Sequence, residues 1–354
     1  MSGFTTRPTP RGAAYYVSHR DPSAVHRAVR LLPHLPADTT VLTASDVVRR
    51  RFAARGVAVT HLPPARVALA RQEAATLRQL HGWAARHRPE LLLCDAPFEA
   101  AEATRGLPGL VRLRRPGHDH EDRLRRQYGG NAPVLSLYAD WLESHQTPDW
   151  LRRKTYYTGC LSDPDCRPQA RSAARAACGF RPGKRYIVLL KSGTHDSFPL
   201  ARIARAARHL SQYEWVRLGP VEHATIKVPA NVHQVGIVPD PNNYLRAADL
   251  VVTDGDEATL HRVAACSTPL ICLPEVDAHH AQHTYAHALR KRGLALTFDH
   301  FPPAYEWPAV VRRAARLSKH RWREFYATDA ESRVQTFLQN VAAHCDGRPH
   351  RCAS

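Results

Sequence analysis

The run Ala248-Asp-Leu-Val-Val-Thr-Asp-Gly-Asp-Glu-Ala-Thr-Leu260 decides the fold class. It reads as a buried strand, a short polar turn holding Gly255, and the first turn of a helix. A second apolar strand follows within Pro269 to Pro274, then a His- and Gln-rich loop and a helix ending near Gly293. A strand, a helix and a second buried strand at this spacing form a βαβ unit with parallel strands. Ligands of open α/β sheets collect at the carboxyl ends of strands, where helix N-termini present unpaired N–H groups to phosphate.

The same grammar extends in both directions. Upstream, strands are expected at Ala13 to Ser18, Thr39 to Thr43, Val57 to His61, Glu90 to Asp95, Leu110 to Leu113, Pro133 to Tyr138 and Thr155 to Thr158. Helices are expected between them at Asp21 to Leu35, at Asp46 to Arg55 capped by Ser45, at Leu69 to His87 and at Phe98 to Arg105. The turn-rich segment Gly159 to Lys184 interrupts the alternation. Strands then resume at Arg185 to Leu190, Glu214 to Leu218, Val232 to Val235, Leu250 to Thr253, Leu270 to Leu273 and Leu294 to Phe298, with a helix over Pro199 to Ser211. A last helix spans about Thr328 to His344, with Thr328 and Glu331 as its capping box.

This pattern gives an α/β fold of two Rossmann-like domains, each a parallel sheet with helices on both faces, and a cleft between them. The expected boundaries are 1–159, a linker at 160–184, 185–326, a closing helix at 327–344 that packs back on the first domain, and a flexible tail at 345–354. A length of 354 residues suits two cores.

The formal charge is +18, and only six of the 50 basic residues are Lys. Such a balance attracts anions: nucleotide diphosphates, acidic headgroups or nucleic acid. The basic residues are scattered along helices and form no nucleic-acid-binding motif, so no nucleic-acid partner is expected. Peripheral contact with a membrane surface is compatible with the charge. No apolar run reaches the roughly 20 residues of a membrane span. The N-terminal residues lack a signal-peptide pattern, and the expected location is cytoplasmic. None of the eight Cys forms a Cys-x-x-Cys pair, and their spacing fits no usual zinc pattern. The Asp277-Ala-His-His280 loop has no distinctive metal spacing either, so neither a metal nor another cofactor is expected.

Two domains with this motif order resemble the GT-B glycosyltransferases. The closest likeness is to the family 28 type, the branch that includes the lipid-linked N-acetylglucosamine transferase of peptidoglycan synthesis. The resemblance is carried by Leu189-Leu-Lys191-Ser192-Gly193-Thr194 after a strand, by Ala248 to Thr253 with Thr259, by the Pro-bounded strand Pro269 to Pro274, and by Gln282-His-Thr-Tyr-Ala286 with Gly293. Tyr285 stands where that family usually has Asn. Near the N-terminus, Val17-Ser-His19-Arg-Asp-Pro-Ser-Ala-Val-His-Arg27 keeps the family's length and its Arg but lacks its glycines. The turn Asp254 to Ala258 is poorer in Gly and richer in carboxylates than the family's. Arg262 replaces the acidic residue that commonly holds the nucleotide ribose.

The resemblance implies transfer of a sugar from a nucleotide donor, most readily UDP-linked, to an unidentified acceptor hydroxyl in the cleft. Lys191, Ser192, Gly193, Thr194, Gly255, Thr259 and Arg262 would meet the nucleotide and its phosphates, Gln282 the sugar hydroxyls, and Ile237 the base. His19 is the candidate general base, being past the first strand and of a pKa class suited to proton removal near neutrality. Asp95 would orient or replace it. The lost glycines and Arg262 favour an alternative: a catalytically silent GT-B relative that binds a nucleotide or a protein partner. A nucleotide-sugar hydrolase or epimerase on the same fold is the third reading.

Overall fold

The structure is a computed structural model, and it describes residues 12–18, 22–62, 69–96, 104–107, 109–166, 169–191, 198–222, 226–276 and 280–345. Two parallel sheets are present, each flanked by helices.

The first lobe holds strands β1 (Ala13–Val17), β2 (Thr40–Thr43), β3 (Val59–His61), β4 (Leu91–Asp95), β5 (Leu110–Arg114), β6 (Val134–Ser136) and β7 (Thr155–Tyr157). Their order is β3-β2-β1-β4-β5-β6-β7, all parallel. The helices between them are α1 (Pro22–Leu31), α2 (Asp46–Ala53), α3 (Leu69–His87), α4 (Glu121–Tyr128) and α5 (Asp149–Lys154). Every residue of β1 and β4 is buried, as a parallel strand covered on both faces requires. One face of the sheet packs Tyr16, Leu42 and Leu92 against Leu77 and Leu80 of α3. The other face packs Tyr15, Leu93 and Val111 with Val29 and Phe52.

The second lobe holds β8 (Arg185–Leu190), β9 (Tyr213–Leu218), β10 (Val232–Gly236), β11 (Leu250–Thr253), β12 (Leu270–Cys272) and β13 (Ala295–Thr297). Their order is β10-β9-β8-β11-β12-β13. Helices α6 (Arg171–Ala177), α7 (Leu200–His209), α8 (Asn242–Ala247), α9 (Glu257–Cys266), α10 (Ala281–Lys291) and α11 (Trp307–Ala314) accompany them. The last helix, α12 (Ala330–Cys345), leaves this lobe and seats Val334, Phe337, Leu338 and Val341 in the core of the first.

Strand order reverses between β1 and β4 in one lobe and between β8 and β11 in the other. Both reversals open at the carboxyl ends of their strands, which is where a doubly wound sheet holds its ligand.

Several local departures have physical causes. The expected helix Asp21 to Leu35 stops at Leu31 and continues as a 3-10 turn, Leu32–His34. Pro33 has no N–H to give an α-helical bond, and its ring crowds the turn before it. The sequence pattern does not predict helices α4 and α11; each is only eight residues long, although α11 buries Trp307, Val310, Val311 and Ala314 at helical spacing. Ser45 does cap α2, accepting from Val48 N at 3.3 Å. The closing helix starts at Ala330, where the Asp329 carbonyl accepts from Arg333 N, and not at the Thr328 box. Asp21, most of Phe98 to Arg105 and the tail from residue 346 lie outside the described residues.

The lobes are joined by two chain crossings that run side by side, bridged at Cys160 and Tyr326. Gly159 at this point has φ +86°, and a Cβ there would stand 2.4 Å from the Ala327 Cβ. Only glycine meets both demands. The crossings lie on an apolar cluster that runs through both lobes, with Tyr138, Leu142 and Cys160 from the first against Tyr285, Leu289 and Phe325. Phe325 is fully buried and packs edge-on against Trp141, Trp322 and His261. Phe325→Ala should therefore lower unfolding stability by about 3–5 kcal/mol. Chemical denaturation checks this, and a loss below about 1 kcal/mol would show that the cluster does not hold the lobes together.

Candidate active site between the lobes

The C-terminal ends of β1 and β4 meet the start of α9. Asp95 ends β4, and its register partner is Val17 at the end of β1. Ser18 N donates to the Asp95 carbonyl at 3.2 Å, so the segment leading to His19 is tied to Asp95. His19 itself lies outside the described residues. The Asp95 carboxylate is buried and gripped by Arg27 on α1, with Nε 2.8 Å from Oδ2 and Nη2 2.9 Å from Oδ1. The Tyr15 hydroxyl donates to the same carboxylate at 3.4 Å.

Arg27 and Arg30, one turn apart on α1, also reach into the second lobe. Arg27 Nη1 donates to Glu257 Oε2 at 2.6 Å, and Arg30 Nη2 donates to Glu257 Oε1. Arg30 Nη1 meets the His261 ring, 2.8 Å from Nδ1. Glu257 and His261 are one turn apart on α9, so two helical faces of opposite chemistry lock together. Arg27, Arg30, Glu257 and His261 are each 7 % exposed or less. Beside them, Arg262 Nη2 lies 3.3 Å from His26 Nε2. Arg262 thus faces the first lobe.

In this setting both imidazoles are neutral. Burial, then the charge of Arg262, lowers His26 from 6.5 to about 2. Burial, then the charge of Arg30, holds His261 well below the usual imidazole range. A buried hydroxyl completes the cluster. Tyr285 is raised well above the ordinary phenol range, first by burial and then by Glu257.

The donor candidates fall around the second reversal point. Lys191 directly follows β8, and its Nζ lies 3.6 Å from Glu275 Oε1 past β12. Gln282 Oε1 accepts from Glu275 N at 2.8 Å. Gly255, at φ +82°, leaves room against Cys272 and the Gln282 carbonyl. Lys191, Gly255 and Gln282 are therefore brought together by the ends of β8, β11 and β12. Ile237 lies just past the end of β10 and is 79 % exposed, open for contact with a flat apolar group. Ser192, Gly193 and Thr194 lie outside the described residues, as do Asp277 and His279.

Thr259 is buried in the first turn of α9, and its amide is already engaged. Asp256 is the N-cap: Oδ1 accepts from Ala258 N at 2.9 Å, and Oδ2 accepts from Thr259 N at 3.3 Å. The chain's own carboxylate thus covers the helix end at which a phosphate would dock.

A cleft of about 770 Å³ opens beside this cluster, between the segment 140–152 of the first lobe and α10 with the end of β13. Its walls carry His118, Trp141 and His145 on one side and His283, His287 and Lys291 on the other. The His145 and His287 rings face one another across it at 6.2 Å. Its first-lobe wall is pinned by Glu143, which accepts from Arg114, Tyr157 (2.7 Å), Tyr138 (3.0 Å) and Thr147 (2.7 Å). Burial works to raise Glu143, but the hydrogen bond and charge of Arg114 outweigh it and hold the carboxyl below its usual range. Among the described residues, no group of three His, Cys, Asp or Glu side chains could hold a metal ion. No described helix is long and apolar enough to cross a membrane.

Sequence reasoning met Glu257 only as one of the carboxylates crowding the turn, and did not find Arg30 or His261. The available signal was the pairing of Arg27 with Arg30 at i, i+3 and of Glu257 with His261 at i, i+4. It becomes legible only once the two helices are known to face each other.

No family model matches the chain. A curated protein of Methanosarcina mazei, described as an uncharacterized glycosyltransferase, is 26% identical over 121 residues. The match covers 34% of this chain and spans only 29% of that protein. The glycosyltransferase of kitacinnamycin has a similar structure, with TM-score 0.64, 17% identity and 96% of each chain covered. The spinosyn rhamnosyltransferase SpnG in complex with thymidine diphosphate superposes with TM-score 0.57 and 19% identity, over 94% of this chain and 96% of that one. The architecture, two parallel sheets each flanked by helices, is that of GT-B glycosyltransferase structures.

Two outcomes are expected of the buried cluster. Arg30→Met or Glu257→Leu alone should cost about 3–5 kcal/mol, because each strands a buried charge, while the double variant should lose far less than the sum. Denaturant titration of the four proteins measures this coupling. The second concerns acid. The unfolded chain protonates His26 and His261 below about pH 6.5, whereas the folded chain does not, so stability is level above that pH and falls beneath it. At pH 5 the loss is about 2 kcal/mol for each imidazole. Thermal melts at pH 7 and pH 5 read it, and His261→Gln should shrink the difference; a Tm that rises on acidification would contradict the neutral assignment.

Proposed function

We propose that this chain is a glycosyltransferase that moves a sugar from a nucleotide donor to an acceptor hydroxyl at the lobe interface. The observation that carries the reading is the convergence of Lys191, Gly255 and Gln282 at the reversal point of the second sheet, opposite the Asp95 end of the first. The second lobe would hold the donor, with Lys191 on the phosphates, Gln282 on the sugar and Ile237 against the base. The first lobe would hold the acceptor. Preorganised charge at the leaving diphosphate and a positioned base supply most of the rate in such a site.

The base in this proposal is His19. Asp95 carries two hydrogen bonds from Arg27, so it acts on the His19 segment and is a poor proton acceptor itself. The motif run from Leu189 to Gly293 supports a family 28 type donor lobe and a UDP-linked sugar. The thymidine diphosphate bound to the spinosyn enzyme makes a thymidine donor the natural competitor in any screen. Arg262 is turned toward His26 of the first lobe.

One observation favours a second reading. Asp256 and Glu257 occupy the helix end and the guanidinium groups that phosphates would use, as a catalytically silent binding relative would have them.

Calorimetry with UDP, dTDP and GDP, followed by mass spectrometry of sugar-nucleotide mixtures, tests the proposal. Binding of one nucleoside diphosphate is expected, weakened about tenfold by Lys191→Ala, the loss of one charge-assisted contact. His19→Ala should leave that affinity intact and abolish turnover. Failure to bind any nucleotide would exclude sugar transfer, and release of free nucleotide without an acceptor would mark a hydrolase.

A further inference from the structure

The Arg27–Glu257–Arg30 bridge has the composition of an anion site with an anion already in it. Two guanidinium groups, both almost fully buried, converge on one carboxylate carried by the other lobe. The neighbouring carboxylate, Asp256, covers the amides of Ala258 and Thr259. Both acidic side chains are consecutive residues at the first turn of α9, so the two halves of the arrangement are continuous. A separate observation points to an occupant that is missing. Tyr285 is 2 % exposed, and its hydroxyl has no hydrogen-bond partner among the described residues. Glu257 and Arg30 are its charged neighbours. A buried hydroxyl without a partner is costly, and it is satisfied by a ligand that brings more oxygen atoms than one carboxylate offers.

We propose that Asp256 and Glu257 are internal placeholders for a diphosphate, which on binding displaces both and takes Arg27, Arg30, the α9 amides and the Tyr285 hydroxyl as its ligands. The exchange is balanced in charge, since a sugar-linked diphosphate carries one negative charge on each phosphate and each carboxylate carries one. It also has a mechanical result. Glu257 is what Arg27 and Arg30 hold across the interface, so on binding the ligand itself becomes the bridge between α1 and the first turn of α9. An exchangeable link then replaces one built into the chain, and the resting chain is weakly receptive because its own side chains must leave first. The proposal rests on the donor reading for the identity of its ligand and not for the placeholder itself.

Glu257→Gln and Asp256→Asn test it. Each is isosteric and removes one charge, and Asn remains a good N-cap, so the helix is kept. The probe is inorganic pyrophosphate, titrated by calorimetry at two salt concentrations. Wild type should bind weakly, and each variant about tenfold more tightly, with the gain shrinking at high salt. A purely structural role predicts no gain. In wild-type protein, which needs no substitution to fold, saturating pyrophosphate should alter amide hydrogen exchange in α1 and at the start of α9, since both change partners. Unchanged affinity in both folded variants, or unchanged exchange in α1, overturns the proposal. If the variants gain pyrophosphate affinity while UDP and dTDP bind no better than pyrophosphate, the placeholder stands and the nucleotide-donor reading falls. If nucleotides bind and neither variant nor exchange responds, the donor reading stands and the placeholder falls.

Discussion

One carboxylate shared by two guanidinium groups governs how the lobes meet. Glu257 comes from the second lobe, Arg27 and Arg30 from the first, and none of the three is in appreciable contact with solvent. Removing such ions from water costs several kcal/mol each, and their attraction repays this only when geometry is good and every remaining donor finds a partner. The surroundings serve that condition, the Tyr285 hydroxyl excepted. Asp95 takes the other side of Arg27, and a neutral His261 takes another edge of Arg30. Four charges and one imidazole thus form one connected set. The set contributes modestly to net stability, but it tolerates only one relative placement of α1 and α9.

Apolar packing does the rest. The cluster around Phe325 runs without a break from Tyr138 and Leu142 into Tyr285 and Leu289. Burial of such side chains is worth roughly 1.5–3 kcal/mol each and has no directional preference. Packing therefore presses the lobes together while the charge set fixes their register. The first-lobe wall of the cleft beside them is held from within its own lobe by Glu143 and its hydroxyl donors, and Leu142 seats it on the apolar cluster.

Much of the architecture was legible in the sequence because parallel strands are the easiest elements to read. Runs such as Leu91–Leu93 or Val251–Val252 are apolar at every position, and their polar punctuation is unambiguous. The two sheets follow from that pattern. The short helices α4 and α11 do not, since at eight residues each they give too short a window for their apolar spacing to be read. The site was legible in outline only. Lys191, Gly255 and Gln282 come together because strand ends of one sheet must, and spacing within a βαβ unit reports that. The Glu257 bridge joins residues 230 positions apart in sequence. No local pattern reports which charged face of one domain will meet which face of another. Asp256 illustrates a second limit: a residue that reads as an unfavourable neighbour for phosphate is a helix cap whose carboxylate covers the very amides in question.

The path of α12 bears on how the protein comes into being. Its side chains Val334, Phe337, Leu338 and Val341 complete a core whose other members come from the first lobe, Tyr15, Phe52 and Leu93 of its first hundred residues among them. During translation the first half of the chain emerges with that face covered only in part, by α1 and α2, and the part that α12 covers stays open until the second lobe has been made. The usual order, in which an N-terminal domain matures before its successor is made, is not open to this core. The second lobe, whose strands are contiguous in sequence, can close first, leaving the earlier half as the part a chaperone would have to shield.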